Sequence, residues 1–237
     1  MTSSTLKKIF LVLAPIALIA AVSTPANAAA PARYITVSAE GTVKVVPDAV
    51  RLSATVTTVA ATSKEALAAN SSSAAKVRKA LTSAGIAVKD ISTQNVTIYP
   101  EYKYENSGTS TLTGYRASQV FSVVIRAADK AGTVVDDVVA AGGDSVQINS
   151  TSPFVLDASK AAESARAVAV KNAKAKATSY AKLLGIKLGK VNYLNESGSP
   201  SITPPMYATA AKAESDATVV DLGEQDVTVS ITVQWAL

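Results

Sequence analysis

The chain has 237 residues, of which 48% are hydrophobic, enough to form the packed core of one or two domains. It contains no histidine and no cysteine, which excludes Ser-His-Asp and Cys-His nucleophile systems, ordinary zinc or copper sites, and any bracing disulfide. A net charge of +5, without arginine-rich or aromatic interleaving, does not indicate a nucleic-acid-binding protein.

The first 28 residues have the pattern of an export signal. Lys7 and Lys8 form a short positive region, residues 9–22 are an almost unbroken apolar run, and a small-x-small pattern ends at Ala28. The run is shorter than the roughly 20 residues that a transmembrane helix needs. We therefore predict that residues 1–28 are a signal peptide cleaved after Ala28, which leaves no integral membrane span; a retained anchor is the alternative.

Two strands are predicted at the start of the mature chain. Residues 35–45 and 50–57 alternate apolar with polar side chains, which is typical of a strand with one buried face. Pro47 and Asp48 predict a turn between them and therefore an antiparallel hairpin. Gly41 is expected to mark a bulge in the first strand.

A helix follows these strands. Thr62 and Glu65 form a capping-box pattern, and Gly85 is placed to end the helix. The side chains expected to be buried recur at helical spacing: Leu67, Ala74, Val77 and Leu81.

A second hairpin is predicted over residues 96–125, where alternating strands flank a tyrosine-rich segment and a Gly/Ser/Thr-rich turn. Glu101 and Glu105 lie among the tyrosines, which is compatible with a sugar-binding face. We favour cross-strand pairing of these glutamates with Lys103 on an exposed surface.

A short helix is predicted over residues 130–141, with Asp129 as its N-cap and Gly142 and Gly143 at its end. It carries four valines: Val134, Val135, Val138 and Val139. Residues 146–155 then form an extended stretch.

The longest helix is predicted from about Asp157 to Leu184 and ends at Gly185. Its seam is mostly alanine: Ala162, Ala165, Ala169, Ala173, Ala177, Tyr180 and Leu184. Four lysines form a basic stripe on another side of the helix: Lys160, Lys171, Lys174 and Lys182. We interpret the basic stripe as a solvated face, with contact to an anionic lipid or wall polymer as the alternative.

The C-terminal part contains a strand at residues 191–194, a long proline-rich loop at 197–219, and a strictly alternating strand at 227–235. Because that last strand runs to the end of the chain, truncation there is expected to be damaging.

No catalytic, cofactor-binding or metal-binding residue is assigned, and the chain is predicted not to be an enzyme. Asp136 and Asp137 are neighbours on a helix and point about 100° apart, so they cannot flank one scissile bond. Ser73 and Lys76 have the Ser-x-x-Lys spacing of some hydrolases, but the companion motifs are missing. A hydrolase that uses only carboxylates is the least favoured class.

Several short segments carry a family resemblance through their order and spacing: Ile35–Gly41, Pro47–Asp48, Gly85–Ile86, Lys89–Thr93, Tyr99–Tyr102, Thr113–Ser118, Ala165–Gly189 and Val227–Val233. Together they resemble the SIMPL-domain family, over nearly all of residues 33–237. Ala39 departs from the pattern, because relatives usually have glycine there. The resemblance implies an exported bacterial envelope protein that self-associates, is linked in some members to oxidative stress, and has no agreed enzymatic activity.

The expected fold is α+β, with two β-α-β-β units whose antiparallel or mixed sheets pack against long helices. Residues 29–237 are expected to form one SIMPL-like domain. Within it we predict two similar subdomains, at 33–128 and 144–237, joined by the short helix at 130–141.

Two function classes remain open. The first is a non-enzymatic envelope protein, periplasmic, cell-wall-associated or secreted, that acts as a homo-oligomer; the alanine seam, the alternating strands and the proline-rich loop would form its subunit contacts. The second is a monomeric module that binds an anionic envelope polymer, a lipid surface or a peptide through the basic stripe or the tyrosine-bearing hairpin. Neither class requires a cofactor or nucleic acid.

Overall fold

Strands and helices alternate along the chain in a computed structural model that describes residues 33–105, 108–203 and 218–237. In chain order the elements are β1 (Tyr34–Val45), β2 (Ala49–Ala60), α1 (Ser63–Ser83), β3 (Ile91–Tyr104), β4 (Ser110–Ile125), α2 (Ala131–Gly142), β5 (Val146–Phe154), α3 (Ser159–Leu183), β6 (Val191–Glu196), β7 (Ser201–Thr203) and β8 (Gln225–Ala236). The predicted signal peptide and residues 204–217 of the predicted loop lie outside the described residues.

The strands form two antiparallel four-stranded sheets, which confirms the α+β class. In sheet A the order is β1-β8-β6, with β7 also paired to β8; in sheet B it is β3-β4-β2-β5. The pairing of β3 with β4 confirms the second predicted hairpin. The strand β7 shows that part of the predicted loop at 197–219 is regular structure.

The predicted hairpin between the first two strands is wrong. β1 pairs with β8 along its whole length, from Tyr34 opposite Ala236 to Val45 opposite Gln225, whereas β2 lies between β4 and β5. Alternation shows which face of a strand is buried but not which strand is its neighbour. The division into 33–128 and 144–237 stays a prediction; the sheets do not follow it, because β1 belongs to sheet A and β5 to sheet B.

Sheet B is covered on one face by α1 and α2, which also pack against each other. The predicted capping box is confirmed, since the Thr62 hydroxyl accepts from the Glu65 amide at 3.2 Å and the Glu65 carboxylate accepts from the Thr62 amide at 3.3 Å. Leu67 is exposed, contrary to prediction, and Ala66 and Asn70 are buried. The buried stripe contains a polar residue, which a hydrophobic pattern cannot reveal.

The start of α2 also differs from the prediction. Asp129 lies in a 3-10 turn before the helix, and the N-cap is Lys130, without a side-chain hydrogen bond. This turn displaces the helix start past Asp129. Of the four valines on this helix, Val134, Val135 and Val138 are buried and Val139 is exposed.

Sheet A is covered by α3, which lies over β1 and β8. The predicted alanines are buried in this contact, together with Ala181: Ala162, Ala165, Ala169, Ala173 and Ala177. Tyr180 and Leu184 are exposed, contrary to prediction. Because the alanine seam is buried inside the chain, it cannot supply the subunit contact that the sequence suggested.

Gly41 lies where α3 approaches β1 most closely. A Cβ atom at this position would be 2.1 Å from the Ala165 carbonyl oxygen and 2.3 Å from the Ala169 nitrogen. The register continues through Gly41, which is opposite Val229, so the predicted bulge is wrong. The glycine is required by the short distance between strand and helix.

The segment before β8 is tied to α2 and to β5. The Thr218 hydroxyl donates to the Asp136 carboxylate at 2.6 Å, and Val220 and Leu222 pack against the core of sheet B. The buried Gln225 side chain then donates to the Pro153 carbonyl at 2.7 Å, where β8 begins. These contacts join the cores of the two sheets through one segment.

Candidate functional surfaces

The residues that the sequence offered as candidates for catalysis lie on helices α1 and α2. Asp136 accepts two hydrogen bonds from Thr218, and Asp137 beside it is exposed on α2. Ser73 is half-buried and Lys76 exposed on α1. Within the described residues, no group of three or more acidic, histidine or cysteine side chains could hold a metal ion.

An ion pair is held near the start of β3. Both Asp90 oxygens accept from Arg126 at 2.8 Å, and the Asp90 side chain is almost fully buried. The hydrogen bonds from the Arg126 guanidinium lower the pKa of the Asp90 carboxyl below its ordinary value. The ion pair borders a cavity of about 210 Å³ that is lined mainly by alanine, glycine and larger aliphatic residues. The ion pair connects the end of β4 to the turn between α1 and β3.

The tyrosine-bearing hairpin extends beyond the rest of sheet B. β2 ends at Ala60, opposite Tyr115, so residues 101–114 continue as a two-stranded segment that we call the hairpin arm. Residues 106 and 107 of the arm lie outside the described part. Tyr102, Tyr104 and Leu112 are exposed on it. A two-stranded ribbon has little stability of its own in water. A partner that covered these exposed side chains would therefore stabilise the arm.

The predicted partner of the arm's glutamates is wrong. Glu101 accepts hydrogen bonds from the Arg116 guanidinium, with its Nε at 2.9 Å, whereas the expectation was Lys103. Glu101 lies opposite Gly114 and Arg116 opposite Tyr99, so the ion pair is a diagonal contact across the ladder. Predicting it requires the register of the hairpin, which is shifted by an irregularity at Glu101.

The basic stripe is exposed as predicted, at Lys160, Lys171, Lys174 and Lys182. Other polar residues of α3 have a different role. Asn172 donates to the Glu40 carbonyl at 2.8 Å and Lys176 to the Ser38 carbonyl at 3.2 Å. They therefore bind the outer edge of β1, which protects that edge from pairing with another strand.

The helix side of sheet A is covered incompletely, and we call its uncovered part the β6 face. Val191 and Leu194 lie opposite the core residues Trp235 and Val233, so they point to the same side as α3. They are nevertheless 54% and 51% exposed. At one end of this face Arg166 of α3 donates to Glu196 at 2.8 Å, which lowers the pKa of the Glu196 carboxyl.

Other exposed apolar side chains lie at the end of α3 and in the segment that follows it: Tyr180, Leu183, Leu184 and Ile186. Four strands of sheet B are covered by two helices, whereas four strands of sheet A have only α3 among the described residues. The β6 face is therefore an apolar surface with no covering helix in the described part of the chain.

The opposite side of sheet A is open and rich in hydroxyl groups. Ser38 and Thr232 are hydrogen-bonded at 2.9 Å across β1 and β8, and so are Thr42 and Thr228. Further bonds run from Ser230 to Glu40 at 3.1 Å and from Gln234 to Thr36 at 3.4 Å. We call this surface the hydroxyl face.

These surfaces belong to an α+β protein in which two antiparallel sheets are packed against helices. No helix in the described residues is long and apolar enough to cross a membrane. The chain matches the family model described as SIMPL, a protein of unknown function (DUF541), over residues 35–235. It therefore belongs to the SIMPL family.

Similar proteins are named in several bacteria. The chain is 33% identical to the 26 kDa periplasmic immunogenic protein of Brucella melitensis over 220 residues, which cover 87% of this chain and 85% of that protein. It is 31% identical to the uncharacterized protein YggE of Edwardsiella ictaluri over 203 residues, 82% of each chain. It is 37% identical to YggE of Escherichia coli K12 over 106 residues, which cover 45% of this chain and 42% of that one. None of these three names specifies an enzymatic activity.

Proposed function

We propose that this protein is a non-enzymatic component of the bacterial cell envelope that acts as a homo-oligomer. The exposed β6 face carries the proposal, because an apolar surface left open on a folded domain marks a contact site. A second copy of the chain is the partner that we favour. Two features of the described residues expose large apolar or aromatic side chains, the β6 face and the hairpin arm, and they can serve as the two sides of a repeated contact.

The charges around the two features are compatible with this contact. Lys182, Lys187 and Lys190 are exposed beside the β6 face, and Glu105 is exposed on the hairpin arm. An arm of one copy can therefore place its tyrosines against Val191 and Leu194 of the next. Because such a contact joins two different surfaces, repetition closes it into a ring or extends it into a filament.

The predicted export signal supports a role in the envelope. The pattern of residues 1–28 predicts cleavage after Ala28, and the relative from Brucella melitensis is named as periplasmic. The mass of the protein recovered from the cell envelope tests this: an N-terminus at Ala29 is expected, and an intact N-terminus would favour a retained anchor.

A link to oxidative stress must be indirect. The chain has no cysteine and two methionines, Met1 and Met206, of which Met1 leaves with the predicted signal peptide. It therefore has no thiol to consume oxidant. We propose that any protection is exerted through the assembly or through a partner protein.

The contact is tested by V191S/L194S, a double variant that makes the β6 face polar. We expect association to weaken about tenfold or more, because two apolar side chains are no longer removed from water. Sedimentation velocity over a concentration series measures this. V88S is the matched control, since Val88 is exposed in the turn before β3, away from the β6 face.

A monomeric binding module is the second candidate, favoured by the exposed basic stripe and the exposed tyrosines of the arm. It predicts that the unmodified chain is monomeric and that V191S/L194S leaves its sedimentation unchanged. Its affinity for an anionic polymer or lipid surface would fall as salt concentration rises.

A further inference from the structure

The hydroxyl face of sheet A presents rows of side-chain hydroxyl and amide groups, and we propose that it binds a glycan chain built from uncharged sugars. This site goes beyond the proposed assembly, and it lies on the opposite side of sheet A from the β6 face. The two proposals can therefore fail independently.

The face is organised in rows that cross the sheet from β6 through β8 to β1. The register aligns three successive rows, Tyr193-Gln234-Thr36, Asn195-Thr232-Ser38 and Ser197-Ser230-Glu40. Successive rows are about 7 Å apart, because side chains on one face of a strand are two residues apart. Successive parts of an extended glycan can therefore contact successive rows.

A shallow groove of about 470 Å³ lies over the second and third of these rows. Ser38, Glu40, Ser197, Ser230 and Thr232 contribute to its lining, and Lys176 closes it at the β1 edge. A groove of this size accommodates one or two sugar rings, and its shallow shape suits a chain that continues beyond it on both sides.

The side chains retain hydrogen-bonding capacity for a ligand. A hydroxyl can donate once and accept twice, so the Ser38–Thr232 pair still has one donor and three acceptor positions after its mutual bond. Asn195 adds an exposed amide that can donate and accept. Sugar hydroxyls have the same mixed character, so donors and acceptors can be matched along the groove without a charge.

Aromatic side chains stand at one end of the rows. Tyr193 is 55% exposed on β6 in the first row, and Tyr34 is 55% exposed on β1 one step beyond it. A tyrosine ring offers an apolar face to the C–H groups of a sugar ring and a hydroxyl to its oxygens. An exposed tyrosine beside a hydrogen-bonding groove suits a saccharide. At the β1 edge, Asn172 and Lys176 already bind carbonyl groups that an added peptide strand would need.

The charge of the face favours an uncharged ligand. Glu40 is the one charged residue in the three rows, and Lys176 stands at the edge of the groove. An anionic polymer would meet the Glu40 carboxylate without a compensating cluster of lysines. Binding should therefore depend little on salt concentration.

The test uses residues 29–237, which contain the complete compact unit 34–237. Retention on insoluble chitin, cellulose and β-1,3-glucan is measured first, and calorimetry with the soluble oligosaccharide of the retained polymer follows. Y193A removes the aromatic side chain from the hydroxyl face. Y180A is the matched control, because Tyr180 is 53% exposed on α3, on the other side of the sheet. N195A removes an exposed amide within the rows and gives a second, independent variant.

We expect the unmodified protein to bind one of the three polymers at low and high salt alike. Y193A should weaken that binding about tenfold, and N195A by a smaller factor, whereas Y180A should leave it unchanged. The particle mass of Y193A should equal that of the unmodified protein. Absence of binding to all three polymers would overturn the proposal, and so would an equal loss of affinity in Y193A and Y180A.

Discussion

Gly41 illustrates how a single residue sets the distance between a strand and a helix. Adding a Cβ at this position brings it within 2.3 Å of two backbone atoms of α3, so the helix must move away from β1. We expect G41A to lower the free energy of unfolding by about 1–3 kcal/mol, the usual cost of an overpacked contact. Urea unfolding measures this.

K44A is the control for that change. Lys44 is on the same strand, exposed, and makes a surface ion pair with Glu224 at 3.2 Å, which is worth about 1 kcal/mol or less. Equal unfolding midpoints for G41A and the unmodified protein would show that α3 is not held against β1 as described.

The Asp90–Arg126 pair makes stability depend on pH. The pKa of Asp90 is lower in the folded protein than its ordinary value. The stabilisation is therefore complete above the ordinary pKa of about 4 and is lost as pH falls through the lower folded value. We expect D90N to be less stable than the unmodified protein at neutral pH, with a difference that shrinks in acid.

Denaturant unfolding at several pH values tests this prediction. The exposed Asp137 supplies the control variant D137N, which should follow the unmodified protein closely. A stability difference between D90N and the unmodified protein that stays constant down to the acid limit would contradict the role assigned to the ion pair.

At the scale of elements, β8 joins sheet A together. It pairs with β1, β6 and β7, and Val233 and Trp235 of β8 are buried in the core beneath α3. Deleting residues 233–237 removes both core side chains and the end of two ladders. We expect this variant to lose its folded circular dichroism spectrum, whereas deletion of the exposed Leu237 alone should have little effect. A cooperative unfolding transition in the longer deletion would contradict this account.

Sequence periodicity predicted most elements but not their arrangement. The alanine seam of α3 and the alternation of β8 are strong local signals, and the structure confirms both. The pairing of β1 with β8 joins opposite ends of the chain, and no local pattern specifies it. Asn70 was missed because a buried amide, here donating to the carbonyls of Val56 and Ala117, interrupts the hydrophobic stripe of α1.

The candidate surfaces were predictable to different extents. The basic stripe and the exposed tyrosines follow from spacing within one helix or one hairpin. The β6 face and the hydroxyl face could not be predicted, because each depends on which strands are neighbours and on which side α3 packs. Tyr193 and Leu194 are adjacent in sequence, yet the register places them on opposite sides of sheet A.

At the scale of the whole molecule, the two sheets differ in how far helices cover them. Sheet B has two helices on its face, and sheet A leaves Val191 and Leu194 open to solvent. Self-association would bury these side chains, and apolar contacts are little affected by salt. The hydroxyl face lies on the opposite side of sheet A from this contact.

The most direct test of the account is the particle mass of residues 29–237, measured by light scattering on a sizing column at low and high salt. Self-assembly through the β6 face predicts a mass of several subunits that is the same in both buffers. A monomeric mass in both would contradict self-assembly and leave a binding module as the function of this chain.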